Sequence, residues 1–366
     1  MQAALFREPN QPMQIEPVQV ADPQPREVLV RTVACGVCHS DYSVFTGKMP
    51  TALTPTPTIL GHEAAGIVEA VGRDVTYVKK GDHIVTCMSV FCGTCDKCLT
   101  GNPALCASDQ IRRRPTDEPR LQQNGETIHQ FTDLSSFAEL MLVHENALTK
   151  IDPDMPLDCA ALMGCGTTTG VGAVFHTAKV TPGSSVAVIG CGAIGLAAIN
   201  GAAIVGAGKI IAIDMQPAKL ELAKTMGATH CIDPSECDNP VEQVQQITGG
   251  GCDYSFEAIG LKHTTEQSVA MLGPGGTATV LGLLPPDAAV EMGFIDFIQE
   301  KKIQGCLMGS NRFRIDMTHF VDFYMRGKLH LDPLISKHIR LDQINDAFAA
   351  FEQGSADARH VIMFEH

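Results

Sequence analysis

Basic charge is scarce in this sequence. Lys and Arg number 27 against 41 Asp and Glu, a formal charge of −14 over 366 residues. That balance argues against nucleic acid and anionic membrane, the partners that reward a basic surface. Long hydrophobic runs are missing as well. The most apolar stretch, 185–213, is broken by glycines and ends at Asp214, so no membrane span is expected. The opening MQAALFREPN reaches Arg7 and Glu8 before a signal-type apolar segment can form. Internal repeats and low-complexity segments are absent.

Apolar residues, at 45% with only 19% charged, suffice for real cores, and the length suits about two domains of roughly 150 residues. Fourteen cysteines would suit a disulfide scaffold only in a small secreted chain. With an ample core and no export signal the thiols are expected to be reduced. That points to the cytoplasm and makes zinc the better explanation for clustered cysteines.

Along the chain, 1 to about 150 shows short alternating runs with turn punctuation (EVLVRTVAC, EAAGIVEAVG) and reads as mostly β. Residues 111–130 are polar and aperiodic, and are expected to form an exposed loop. After TPGSS the texture changes. VAVIG, KIIAID, CDYSFEAIG and TATVLGL read as strands, alternating with helical AIGLAAINGAAIVGA and KLELAKTMGA. Such alternation predicts βαβ units and a parallel sheet. The end combines a helix (DQINDAFAAFEQG) and a closing strand (HVIMFE).

Gly190, Gly192 and Gly195 have G-x-G-x-x-G spacing, follow an apolar strand and open a helix. The next strand ends at Asp214, 24 residues after the first glycine, where a ribose-binding acid is expected. Incidental glycines in an ordinary crossover are the bland alternative, and the acid disfavours it. A carboxylate there accepts hydrogen bonds from ribose hydroxyls and repels a 2′-phosphate. The following MQP offers no arginine, so NAD is favoured over NADP.

Cys92, Cys95, Cys98 and Cys106 are spaced C-x2-C-x2-C-x7-C, which suits a closed tetrahedral zinc site with no open position. An iron–sulfur cluster is the rival. A reactive zinc needs about three protein ligands, and Cys38 in CGVCHSD, His62 in GHE and Cys165 in GCGTTTG are candidates. Each alone is more often a core thiol or a satisfied histidine, and spacing cannot bring 38, 62 and 165 together.

These motifs, in this order, resemble the zinc-dependent medium-chain alcohol dehydrogenases over essentially the whole chain. The finer resemblance is to the bacterial aryl-alcohol (benzyl alcohol) dehydrogenase branch. It implies an α/β protein: a GroES-like, mostly-β catalytic domain (1–166 and 310–366) and a Rossmann NAD-binding domain (167–309), with the active site in the cleft between them. It implies two zincs per subunit, one catalytic on Cys38, His62 and Cys165, one structural on Cys92, Cys95, Cys98 and Cys106. Ser40 matches the hydroxyl that takes the alcohol proton, Asp41 a partner of the ligand histidine, and Glu63 a residue near the metal. His39 and Arg359 match pyrophosphate contacts. Thr169 and Ile194 match residues that flank the nicotinamide, and Lys219 one near the adenosine ribose. Met88 occupies a position that lines the substrate pocket.

The implied activity is reversible NAD-linked oxidation of a primary, aryl or apolar, alcohol to its aldehyde. Many relatives carry a histidine five residues after the ligand cysteine to end the proton relay; Ser43 stands there and cannot act as a base near neutral pH. A homodimer or homotetramer is implied, with 290–305 containing the pairing segment. The remaining readings are a dehydrogenase of another alcohol class (formaldehyde-adduct or long-chain) and, more remotely, a non-enzymatic nucleotide-dependent redox sensor.

Overall fold

Two kinds of sheet divide the computed structural model, which describes residues 1–49, 54–352 and 358–365. Met1–Cys165, Arg312–Met325 and Leu331–His366 form one unit, and Gly166–Asn311 with Arg326–His330 the other.

The first unit is built on the ten-residue strand Glu27–Gly36, whose alternating Val28, Val30, Ala34 and Gly36 are buried. It pairs antiparallel with Glu63–Val71 on one side. On its other side Leu140–His144 covers the N-terminal half and Arg359–Met363 the C-terminal half. His83–Thr86, Leu148–Lys150 and Ile335–Ile339 complete this seven-stranded sheet. The closing strand is therefore central to the fold. Of the expected C-terminal helix, Ile344–Glu352 is present, and its last two residues lie outside the described residues.

The second unit is a six-stranded parallel sheet in the order His230–Ile232, Lys209–Ile213, Ser185–Ile189, Cys252–Glu257, Leu272–Val280, Lys302–Gly305. Its strands are short apolar runs because helices cover both faces, as parallel sheets require. Val186–Ile189 and Ile210–Ile213 are buried throughout. The chain turns back from Ser185–Ile189 in both directions, so the C-terminal ends of Ser185–Ile189 and Cys252–Glu257 flank a topological switch point, where ligands bind in such sheets.

The segment 111–130 is not the exposed loop its polarity suggests. Leu121–Gln123 and Glu126–Thr127 form a small hairpin. The Arg113 and Arg120 side chains are each 7% exposed and converge on Glu27, with Arg120 Nε 2.7 Å and Arg113 Nε 3.0 Å from Glu27 Oε1. Burial alone would raise the Glu27 carboxyl, but the two arginines outweigh it and hold it below the ordinary range. Hydropathy misreads such a segment because its charges are neutralised by a glutamate some 90 residues away.

Candidate metal centre and nucleotide crevice

Strand register assembles the buried centre. Gly36 is paired with Glu63, so the chain just beyond one strand (Cys38) and just before the other (His62) emerge at the same edge. Val361 is also paired with Gly36, and continuing that register sets Arg359 opposite Cys38. Glycine makes both approaches possible. A Cβ on Gly36 would lie 2.5 Å from Glu63 Oε2, and one on Gly164 would lie 2.7 Å from the Thr86 carbonyl and 3.3 Å from Glu63 Cα. The glycine before Cys165 thus buys a close backbone approach rather than empty room. Cys165 itself lies in a π-helical turn, Met163–Thr167, an irregularity common at functional sites.

Sulfur of Cys38, nitrogen of His62, oxygen of Glu63 and sulfur of Cys165 all lie within 4.8 Å of one another. Asp41, fully buried on the helix His39–Phe45, holds this arrangement. Its Oδ2 accepts from the Cys38 N–H at 3.1 Å, and its Oδ1 lies 3.0 Å from both the Gly61 N–H and His62 Nδ1. A carboxylate only accepts, so His62 carries its proton on Nδ1. Nε2 is buried and is the nitrogen left to a metal, with the Cys38 side chain hydrogen-bonded to the same imidazole. A hydrogen bond from Cys165 and the charge of Arg359 lower the Cys38 thiol well below its ordinary range. Burial pushes Glu63 up to about 7 despite Arg359 beside it. Two thiols, one oriented imidazole and an adjacent carboxylate fit a divalent zinc ion.

The second cysteine group differs. Cys95–Cys98, Cys95–Cys106 and Cys92–Cys98 sulfurs are 3.5, 3.8 and 3.9 Å apart. Four sulfurs about 2.3 Å from a common centre would be roughly 3.8 Å apart at the corners of a tetrahedron. The spacing leaves room for a single ion, and disfavours the multi-iron rival. Backbone N–H groups of Thr94 and Cys95 donate to Cys92 Sγ, and that of Cys92 to Cys106 Sγ, at 3.3–3.4 Å. The Thr94 hydroxyl leads in bringing Cys92 down to about 5.

In the second unit Gly190 has φ of 91°, a left-handed turn that favours glycine, and a Cβ on Gly195 would strike the Gly190 carbonyl. A Cβ on Gly192 would meet nothing within 4 Å. Gly192 also caps the helix Ala193–Ile204 with no side-chain bond to its first N–H groups. An exposed cradle at a helix N-terminus suits a pyrophosphate. Asp214 is half-buried, its Oδ2 accepting from the Cys191 N–H at 2.8 Å and its Oδ1 from Gln216 N–H at 2.9 Å. Ile194 and Lys219 are half-buried, while Thr169 is buried and donates to Met308 Sδ.

Other expected site residues are placed as follows. His39 is exposed, its ring packed edge-on against Tyr42 and Phe351. Ser40 and Met88 are half-buried, Met88 against the first unit's core. The Ser43 hydroxyl donates to the His39 carbonyl, which ties it to its own helix. Arg359, implied as a pyrophosphate contact, has its guanidinium turned inward to Glu63 and Cys38. Sequence reasoning missed Phe131, whose buried ring packs edge-on to the His62 imidazole at 5.5 Å between centroids. Its only signal was an aromatic residue directly after a polar segment.

Comparison with known proteins gives the family. Residues 24–153 match the alcohol dehydrogenase GroES-like domain and 193–323 the zinc-binding dehydrogenase domain. S-(hydroxymethyl)glutathione dehydrogenase of Synechocystis sp. is 39% identical, with 97% of each chain covered. Alcohol dehydrogenase class-3 of Zea mays is 38% identical, covering 96% of this chain and 94% of its own. The crystal structure of benzyl alcohol dehydrogenase from Acinetobacter calcoaceticus superposes with a TM-score of 0.92 at 34% identity, over 100% of this chain and 99% of that one. A zinc-binding alcohol dehydrogenase domain protein from Burkholderia ambifaria gives 0.94 at 36%, with the same coverage. The chain belongs to the zinc-dependent medium-chain alcohol dehydrogenases: a two-zinc oxidoreductase with an NAD(P)-binding fold, acting on small alcohols and aldehydes.

Proposed function

We propose that this dehydrogenase interconverts a primary alcohol bearing an apolar, aryl group and its aldehyde, using NAD. The observation that carries the reading is the Phe131 ring against His62, which puts an apolar wall beside the metal ligands. Met88 adds a flexible, polarizable side chain suited to a ring edge. Each ~100 Å² of apolar surface that a ring removes from water contributes about 2.5 kcal/mol, which ethanol cannot collect. The likeness to benzyl alcohol dehydrogenase supports the same substrate class.

Zinc held by Cys38, His62 and Cys165 would supply a Lewis acid that acidifies the alcohol, and NAD would accept the hydride. The chain does the rest. Ser40 receives the alcohol proton, Asp41 fixes the His62 tautomer, and Glu63 tempers the charge around the ligands. Gly190, Gly192 and Gly195 seat the pyrophosphate, with Ile194 and Thr169 placing the nicotinamide. Asp214 accepts from the ribose hydroxyls and disfavours a 2′-phosphate, with Lys219 near that ribose. Cys92, Cys95, Cys98 and Cys106 hold the structural ion. Ser43, back-bonded to its helix, leaves the relay to end elsewhere. A ring stabilises charge at the reacting carbon and so reduces the demand on that relay.

A second reading comes from the names of the curated relatives, which point to a formaldehyde adduct such as S-(hydroxymethyl)glutathione. Comparing kcat/KM with NAD for benzyl alcohol, octanol, ethanol and S-(hydroxymethyl)glutathione decides. Benzyl alcohol is expected to lead; an enzyme that prefers the glutathione adduct, or ethanol, overturns the aryl assignment.

The reading includes a homo-oligomer, dimer or tetramer, in the cytoplasm. Phe294, Ile295, Phe297 and Ile298 are 75%, 60%, 63% and 61% exposed on a short helix that leads into the edge strand Lys302–Gly305. Burying such a surface and edge against a second copy removes an aggregation hazard. Light scattering at micromolar concentration showing a monomer would refute it. Among the described residues no helix is long and apolar enough to cross a membrane.

A further inference from the structure

Arg359 brings a guanidinium into direct contact with the candidate ligand Cys38. Its Nη2 lies 3.2 Å from Cys38 Sγ and 2.8 Å from Glu63 Oε1. All three residues are buried, at 8%, 4% and 0% exposed. In such surroundings charges are poorly screened and hydrogen-bonded groups polarise one another. One guanidinium nitrogen, which carries two N–H groups, thus serves a sulfur and a carboxylate at once, and the negative charge of the carboxylate offsets part of the positive charge felt by the sulfur.

We propose that Arg359 is a positioning residue that sets how much charge the Cys38 sulfur donates to the metal, and that Glu63 tempers it by offsetting the charge of the same guanidinium. The inference rests on metal ligation by Cys38 as proposed above. The geometry favours this role over a merely structural ion pair. Strand pairing fixes Cys38 and Arg359 opposite each other, and Glu63 follows the ligand His62 directly in the chain, so the three cannot drift apart independently. Hydrogen bonds to a ligating sulfur, like other outer contacts of a metal site, tune its donor strength.

The test uses the full-length protein loaded with cobalt(II) and reads the thiolate-to-cobalt charge-transfer band. The four-cysteine lobe contributes the same absorption in every variant and cancels in difference spectra. In Arg359→Gln the sulfur loses its charged donor, so the band moves to lower energy. In Glu63→Gln the offsetting carboxylate charge is gone, the Cys38 sulfur feels more of the Arg359 charge, and the band moves to higher energy. Arg359→Lys, which restores a charged donor without the planar fork, falls between the parent and Arg359→Gln. Opposite shifts are the signature, because loss of mere packing would not change sign between the two partners. An unmoved band in Arg359→Gln, or shifts of the same sign in both variants, overturns the proposal. Should Arg359→Gln fail to fold, Glu63→Gln decides alone, and any result but a move to higher energy overturns it. A parent that binds one cobalt per chain instead of two overturns the ligation reading itself.

Discussion

The two cysteine groups solve different problems with the same atom. The lobe collects four sulfurs from fifteen consecutive residues, 92–106, around a four-residue helix, and three of its cysteines are only half-buried. The other centre draws residues 38, 62, 63 and 165 from two strand ends and a helical turn, and all of them are buried. A locally closed set has little core of its own, so its metal and its folding stand together. A dispersed set exists only once the sheet has formed, and its shape is held by Asp41 and by strand register. The first group should therefore report on stability and the second on chemistry.

The largest separation is expected from Cys165→Ser. It should leave a folded, NAD-binding protein whose kcat/KM falls by about a thousandfold or more, roughly 4 kcal/mol of barrier at 1.36 kcal/mol per decade. Steady-state rates together with calorimetric NAD binding check it. Cys98→Ser should do the reverse, lowering thermal stability by several kcal/mol, a part of the ~10–16 kcal/mol that structural zinc contributes in small zinc domains. Thermal melts and zinc per chain read it out. If Cys98→Ser is as stable as the parent while Cys165→Ser unfolds, the contrast between the groups is inverted.

Asp41→Asn sharpens the contrast within the dispersed centre. It keeps the shape but weakens the acceptor shared by Cys38, Gly61 and His62, and should cost about 10- to 100-fold in metal affinity or activity. Competition with a chelator measures it, and a loss from the lobe instead would contradict the assignment. Asp214→Gly leaves both metal groups alone and should narrow the preference for NAD over NADP by roughly one to two decades, about 1.4 kcal/mol each. Paired kcat/KM values for the two cofactors test it. An unmutated enzyme indifferent to the cofactor would sink the role of Asp214.

The most gradual effect is expected where buried charge is balanced by protein alone. His144 lies near the Glu27–Arg120 cluster and accepts the Asn146 N–H at Nδ1, at 3.1 Å. Burial, with the charges of Arg26 and Arg120, brings its pKa down to about 4 from 6.5. A depressed value means the folded state resists protonation, so stability is present above pH ~6.5 and is lost as pH falls toward 4. The slope in that window should not exceed about 1.4 kcal/mol per pH unit from this one proton. Glu27, held low, adds its own loss at still lower pH. Urea unfolding between pH 7 and 4.5 should show the slope, and His144→Gln should flatten it.

Local patterning determined much of this protein without help from the fold. Parallel strands could be read because they are short apolar runs punctuated by helices, and Gly190, Gly192, Gly195 and Asp214 because a glycine-rich strand-to-helix turn confines them to one βαβ unit. The four-cysteine lobe is legible for the same reason, since its cysteines are neighbours in sequence. Tertiary structure alone decided the rest. Only the pairing of Gly36 with both Glu63 and Val361 brings Cys38, His62, Glu63 and Arg359 to one point. Only packing turns Arg359 inward, ties Ser43 to its own helix and sets Phe131 against His62. The polar stretch 111–130 shows why: its arginines look solvent-bound until Glu27 is folded beneath them. Charge and ligation depend on distances in space, and a sequence sets those directly only over the few residues of a turn.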